Sequence, residues 1–164
     1  MIFIAVALLI RRCRRKNIIF LSAKNVTTGE IDWENVMYIP ESLHKELYSR
    51  IAPKKGDILL AKNGTIGVAA IVDRDCEFDI YVTLAVIRTI KHLVSPNYLL
   101  RAIGSTAVQI FFKGALIGIG VPNLHLINIR KAMIPIPPVA EQERLIIALQ
   151  NSFDIISAIE KSLS

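Results

Sequence analysis

The stretch "GDILLAKNGTIGVAAIV", residues 56–72, places two short apolar runs on either side of Lys62-Asn63-Gly64-Thr65. Ile58–Ala61 is long enough for one strand and Val68–Val72 for another. Asn63-Gly64 between them is a hairpin signal, because both central positions of a type I′ turn need positive φ. Thr65 to Gly67 leaves room for a bulge. The spacing predicts an antiparallel hairpin. Lys62 is more than a turn requires, so two readings stand: a well-made turn, or a tip carrying donors for a polyanion.

Working outward, "IIFLSA" (18–23) is a strand candidate, and "KNVTTGEID" (24–32) is a loop with its turn at Thr28-Gly29. "WENVMYIP" (33–40) reads as extended. In "ESLHKELYSRI" (41–51) Leu43, Leu47 and Ile51 recur every four residues, which predicts a helix with those three on one face. "FDIYVTLAVIRTI" (78–90) is dense in β-branched and aromatic residues and predicts a strand pair. Ser95 and Pro96 open a helix over 95–103 that Gly104 closes, and "STAVQIFFKG" (105–114) gives a second. Residues 124–131 predict a short helix and 132–136 a short strand, before Pro137-Pro138 closes the globular part. The fold class expected is α+β: a mostly antiparallel twisted sheet with short helices, followed by one long C-terminal helix.

That helix begins after "PPVAEQ". Leu145, Leu149, Ser152, Ile156, Ile159 and Leu163 follow a 4-3-4-3-4 spacing, a heptad seam in which Ser152 is the gap. Ile146, Phe153 and Ile155 widen the stripe. A helix so apolar on one side needs a covering surface. Either its own domain supplies that surface or another helix does.

A chain of 164 residues bounds the answer to one domain, or one domain plus an appended element. Its formal charge of +6 is concentrated. Arg11, Arg12, Arg14, Arg15 and Lys16 set aside, 15 basic residues face 14 acidic ones. A nucleic-acid face must therefore come from local clustering. The segment "MIFIAVALLI" (1–10) is too short to span a bilayer, which takes about 20 residues. Its cations follow the apolar run, the reverse of a secretory signal. It reads as a buried strand or an atypical start. Cys13 and Cys76 form no CxxC pattern and read as reduced thiols of a cytoplasmic protein. His44, His92 and His125 have no metal spacing, so no metal is expected. No nucleophile elbow, phosphate-binding loop, dinucleotide fingerprint or HExxH occurs. Gly64-Thr65-Ile66-Gly67 matches GxxG, but a KH loop joins helices and strands flank this one. The chain reads as a binder rather than an enzyme.

Three blocks in order, "IIFLSAKNVTTGEID", "GDILLAKNGTIGVAAIV" and "GVPNLHLINIRKAMIPIPPVAEQERL", resemble the target recognition domain of type I restriction–modification specificity subunits. Gly120, Pro122, Asn123 and Leu124 match that family's GxPNL-type loop. Ile134, Pro135, Ile136, Pro137, Pro138, Glu141 and Gln142 match its exit into a spacer helix. The resemblance covers about residues 17 to 164. It implies a non-catalytic subunit that reads one half of a split duplex DNA target. Methyltransferase and restriction subunits would be its partners, with S-adenosylmethionine, ATP and Mg bound only in those partners. It implies three parts: an atypical apolar and basic N-terminus over 1–16, a recognition domain over 17–138 and an assembly helix over 139–164. Members of the family carry two recognition domains and a different opening segment; a single one here implies a half-length subunit or a fragment.

The resemblance assigns DNA contact to loop residues of suitable chemistry. Lys24-Asn25 and Lys62-Asn63 each pair a cation with a planar amide. Cations hold phosphates, Asn binds adenine edges and Lys reaches guanine acceptors. Thr65, Tyr81, Lys113, Asn123 and His125 complete the candidates. Leu145, Leu149, Ile156, Ile159 and Leu163 would bind a second specificity half, or a second copy of this chain. A different reading is a membrane-associated adaptor anchored through residues 1–16, because five cations beside an apolar run suit an anionic bilayer surface.

Overall fold

The computed structural model describes residues 17–116 and 122–163. The N-terminal stretch 1–16, for which a buried strand, an atypical start or a membrane anchor was expected, and Gly120 of the GxPNL-type loop lie outside the described residues.

Two three-stranded sheets form the centre. In the first, β1 (Asn17–Leu21) lies between β2 (Met37–Pro40) and β5 (Phe78–Ile80). The β1–β2 pair is antiparallel and the β1–β5 pair parallel, with Ile19 opposite Tyr38 on one side and Phe78 on the other. In the second, β3 (Ile58–Ala61) lies between β4 (Ala69–Ile71) and β6 (Leu84–Ile87), antiparallel to both. The expected α+β character holds. The expected single sheet is divided, and the expected strand pair in 78–90 is shared out between the two sheets. The turn at Tyr81–Thr83 causes this: Tyr81 donates its N–H to Leu21 O (2.7 Å), while Leu84 is already paired with Ala61.

Strand β3 explains its own composition. All four of its residues are buried. Leu59 and Ala61 face the first sheet, packing with Leu21, Val26, Trp33, Phe78 and Leu84. Ile58 and Leu60 face the helices, packing with Ile103, Val108, Phe112 and Leu124. Successive strand residues point to opposite faces, so a strand covered on both sides is apolar without alternation. Truncating Leu59 or Leu60 to alanine costs about 2–5 kcal/mol in such a site.

The helices are α1 (Glu41–Arg50), α2 (Pro96–Ile103), α3 (Thr106–Gly114), α4 (Leu126–Ile129) and α5 (Val139–Leu163). Helix α1 forms where periodicity predicts it, but its inner face is shifted. His44, Leu47 and Tyr48 are its half-buried residues, while Leu43 and Ile51 are exposed. The cause is Asp79 of β5, buried beneath the helix, which takes His44 Nδ1 at 2.7 Å. The expected strand at 132–136 is absent. Pro135 and Pro137 lack N–H donors, Ala132 N–H goes back to Ile129 O, and Pro135 O accepts the Tyr98 hydroxyl (2.8 Å).

The hairpin differs from its prediction in an informative way. The β3–β4 ladder closes at Ala61 and Val68, where Ala61 N–H meets Val68 O (2.8 Å). Gly64 and Gly67 have φ of 74° and 89°, whereas no described non-glycine residue has positive φ. Asn63 is therefore outside the left-handed region, and a type I′ turn does not form. Tertiary bonds override the local preference. Lys62 N–H donates to Thr83 O (2.9 Å), Lys62 O accepts Leu124 N–H (2.8 Å), and Asn63 bridges to Asn123. Gly67 does what a side chain could not: an added Cβ would lie 2.4 Å from Gln109 Oε1.

Helix α5 is 25 residues long, roughly 37 Å at 1.5 Å per residue. Its base is fixed by Gln142, which is fully buried. From Glu143 to Leu163 every residue is exposed except half-buried Ile146. The Arg101 guanidinium lies over the Phe153 ring at 5.3 Å, and Leu145 and Leu149 border a hollow shared with Tyr98 and Ala102 of α2.

Candidate nucleic-acid interface

Four segments meet at one end of the two sheets, and Thr83 is the stitch. Its Oγ1 accepts Ala23 N–H (3.0 Å), and its carbonyl accepts Lys62 N–H (2.9 Å). The loop that carries Lys24 and the loop that carries Lys62 are thus tied to the same residue. Tyr81 precedes it by two positions. The Lys62–Asn63 loop is tied in turn to Asn123–Leu124. His125 follows at the N-terminal boundary of α4, exposed. Sequence reasoning singled out Lys24, Lys62, Asn63, Tyr81, Asn123 and His125 separately; the fold puts them on adjoining segments.

Lys24 is exposed on the short 3-10 turn Ala23–Val26. Lys62 and Asn63 are half-buried, and Thr65 is exposed on the same loop. Among the described residues neither Lys24 nor Lys62 has an ion-pair partner. Tyr81 is 46% exposed, its ring edge-on to Phe20 at 5.8 Å. Asn123 is half-buried, and its Oδ1 finds no hydrogen-bond partner among the described residues. These groups can supply cations, amide donors and acceptors, and a ring.

Two candidates stand apart. Asn25 cannot read a base edge from this position. It is 5% exposed, and its carboxamide is consumed by the fold. Oδ1 accepts Ser22 N–H (2.9 Å) and Nδ2 donates to Asp32 O (3.2 Å) and Asn35 O (3.0 Å). Its signal in the sequence was that of an Asx-type loop brace, which short polar side chains near turns commonly are. Lys113 is exposed in the last turn of α3, and among the described residues no hydrogen bond joins it to the four segments.

Arg50 and Arg130 went unnoticed in the sequence, and Arg88 reads there equally well as a solvated strand-end charge. A cleft of about 810 Å³ lies beside Lys62 and Tyr81, and Arg50, Arg88 and Arg130 line it as well. Arg88 is committed: its Nε and Nη2 grip Asp57 at 2.8 and 2.6 Å, and this carboxylate holds its pKa above the ordinary arginine value. Asp79 also lines the cleft, with its side chain 1% exposed. Burial pushes its pKa up, and the hydrogen bond from His44 pulls against that. Tyr48, its ring tilted against His44 at 4.8 Å, has its pKa raised by burial first and by Glu77 next.

The structure thus sets a braced rim of polar loops on a small two-sheet scaffold, with a largely exposed helix projecting from it. Residues 15–164 match the family model described as the type I restriction modification DNA specificity domain, and the chain belongs to that family. It is similar to the type I restriction enzyme EcoBI specificity subunit of Escherichia coli, 24% identical over 140 residues, covering 85% of this chain and 29% of the relative. A Haemophilus influenzae protein assigned as a type I restriction enzyme specificity subunit is 28% identical over 167 residues, covering 94% of this chain and 40% of that one. The chain thus spans less than half the length of these two relatives. A crystal structure of the HsdS subunit from Thermoanaerobacter tengcongensis shares the fold, with a TM-score of 0.66 at 17% identity over 88% of this chain and 38% of the other. A structure from work on assembly and conformational transition of a type I R-M system has the same score at 14% identity, covering 91% of this chain and 34% of that one.

Proposed function

We propose that this chain reads one half of a split duplex DNA target and directs partner methyltransferase and restriction subunits to it. The observation that carries the reading is the convergence of Lys24, Lys62, Asn63, Tyr81, Asn123 and His125 around Thr83, in a chain of the specificity-domain family. In this reading Lys24 and Lys62 hold phosphates and set register, and Asn63, Asn123 and His125 meet base edges. Thr65 extends the contact at the loop tip, and Lys113 is a peripheral phosphate contact. Residues 17–138 are the recognition unit and 139–164 the assembly unit.

In this reading the chain performs no chemistry, and S-adenosylmethionine, ATP and Mg belong to the partner subunits. Leu145, Leu149, Ile156, Ile159 and Leu163 pair with a second specificity half or a second copy. The complex works in the cytoplasm. Among the described residues no helix is long and apolar enough to cross a membrane.

The test is duplex binding by the chain assembled with its methyltransferase partner, titrated against salt. Lys62→Ala should weaken binding and flatten the slope of log K against log salt by about one, the signature of one lost phosphate contact. Unchanged affinity and slope in a folded variant would remove Lys62 from the site.

A further inference from the structure

Strand β6 is the last strand of the second sheet. Along one edge it pairs with β3, from Ile58–Ile87 to Ala61–Leu84, and no described strand takes its other edge. The 810 Å³ cleft is lined by five consecutive residues here, Leu84 to Arg88. Strand residues alternate between faces, so a cleft that touches all five lies against the edge itself. Leu47 of α1 and Ile80 of β5 form one side of it, and Leu99 and Ile129 the other. The extended stretch at 132–136 borders it through Ala132 and Ile134, and the N–H groups of Met133, Ile134 and Ile136 make no backbone hydrogen bond among the described residues.

An open edge next to apolar walls asks for a particular occupant. The outward N–H and C=O groups of β6 call for another extended backbone. Apolar walls on both sides call for apolar side chains at consecutive positions, not alternate ones. Lys62 and Arg130 line the same space, and neither has an ion pair among the described residues.

We propose that the free edge of β6 is a strand-acceptor site. Its occupant is an extended partner peptide, apolar at successive positions and acidic where it meets Lys62 and Arg130. This surface goes beyond the DNA reading, since main-chain pairing in an apolar trench has no use for a phosphate backbone.

The experiment uses the full chain, isotopically labelled, and a synthetic octapeptide of six alternating Val and Ile residues followed by two Glu. Amide signals of Leu84 to Arg88 should shift, and their outward amides should exchange at least tenfold more slowly with peptide bound. A second octapeptide has the same side chains but is N-methylated at alternate residues, so it cannot complete a ladder. It should bind at least tenfold more weakly. Arg130→Glu should weaken the Glu-ended peptide and strengthen a Lys-ended one. Unchanged exchange in β6, equal binding of the N-methylated peptide, shifts confined to α5, or indifference of both peptides to Arg130→Glu would each overturn the proposal.

Discussion

Gln142 Oε1 accepts the backbone N–H of Ser95 at 2.8 Å, joining the first turn of α5 to the residue that opens α2. The same carboxamide donates from Nε2 to Leu93 O and to Pro137 O, each at 2.8 Å. One buried side chain thus binds the projecting helix, the proline-rich exit and the loop before α2. It fixes the direction in which 25 residues of helix leave the domain. On the proposed function, in which this helix carries the assembly contact, that angle is functional geometry. Gln142→Ala leaves two carbonyls and one N–H without this partner, and each unsatisfied buried group costs about 1–3 kcal/mol. Urea unfolding should show the loss. Spin labels on α2 and on the outer part of α5 should give a broader distance distribution than in the parent chain. An unchanged distribution would mean that the Arg101–Phe153 contact alone sets the angle.

Lys24 and Asn25 are neighbours with opposite assignments, and substitution separates them. Lys24→Ala removes an exposed cation and should leave thermal stability unchanged while lowering the salt slope of duplex binding by about one. Asn25→Ala removes the brace among Ser22, Asp32 and Asn35 and should destabilise by about 2–3 kcal/mol, as loss of a buried hydrogen-bond network does. The comparison is made by calorimetry and by fluorescence anisotropy on both variants. If Asn25→Ala were stable and deficient only in DNA binding, the brace assignment would fail.

The difference between those two residues shows what the sequence can carry. Periodicity and breakers located most elements, because each depends on a few neighbouring residues: Pro96 and Gly104 bound α2, and the continuous ILLA run marked β3 as a strand. The long helix was legible from its spacing alone. What could not be read depends on partners distant in the chain. Thr83 holds Ala23 and Lys62 across 60 and 21 positions of sequence, and nothing local marks it. The Asn63 turn was misassigned for the same reason, since Asn123 and Leu124 decide that backbone. His44 beneath α1 answers to Asp79, 35 positions away.

The seam of α5 tests assembly apart from folding. Leu149 and Ile156 are 41% and 51% exposed, so a single chain loses little when either becomes polar. Leu149→Asp should leave the melting temperature of the isolated chain within about 2 °C, since surface substitutions cost within about 0.5 kcal/mol. It should abolish the association that brings a second helix to the seam, by placing a charge in a heptad core. Analytical ultracentrifugation alone and with the methyltransferase partner gives the answer. Normal assembly of this variant would move the interface elsewhere on the domain.

Asp79 makes the protein's stability depend on acidity in a direction that can be worked out. Burial raises its folded-state pKa above the unfolded value of 3.8, and the His44 hydrogen bond offsets this only in part. The folded state therefore holds the Asp79 proton more tightly than the unfolded state does. By linkage, stability falls as pH rises from 3.8 through the raised pKa, and this contribution is flat above that. Asp79→Asn keeps an acceptor for His44 and removes the titration. Its advantage over the parent chain should grow across that interval and then stay constant towards neutral pH. Paired denaturant titrations from pH 3 to pH 8 measure it. A parent chain that instead gains stability over the interval, relative to Asp79→Asn, would mean that the ion pair with His44 outweighs the cost of burying the carboxylate.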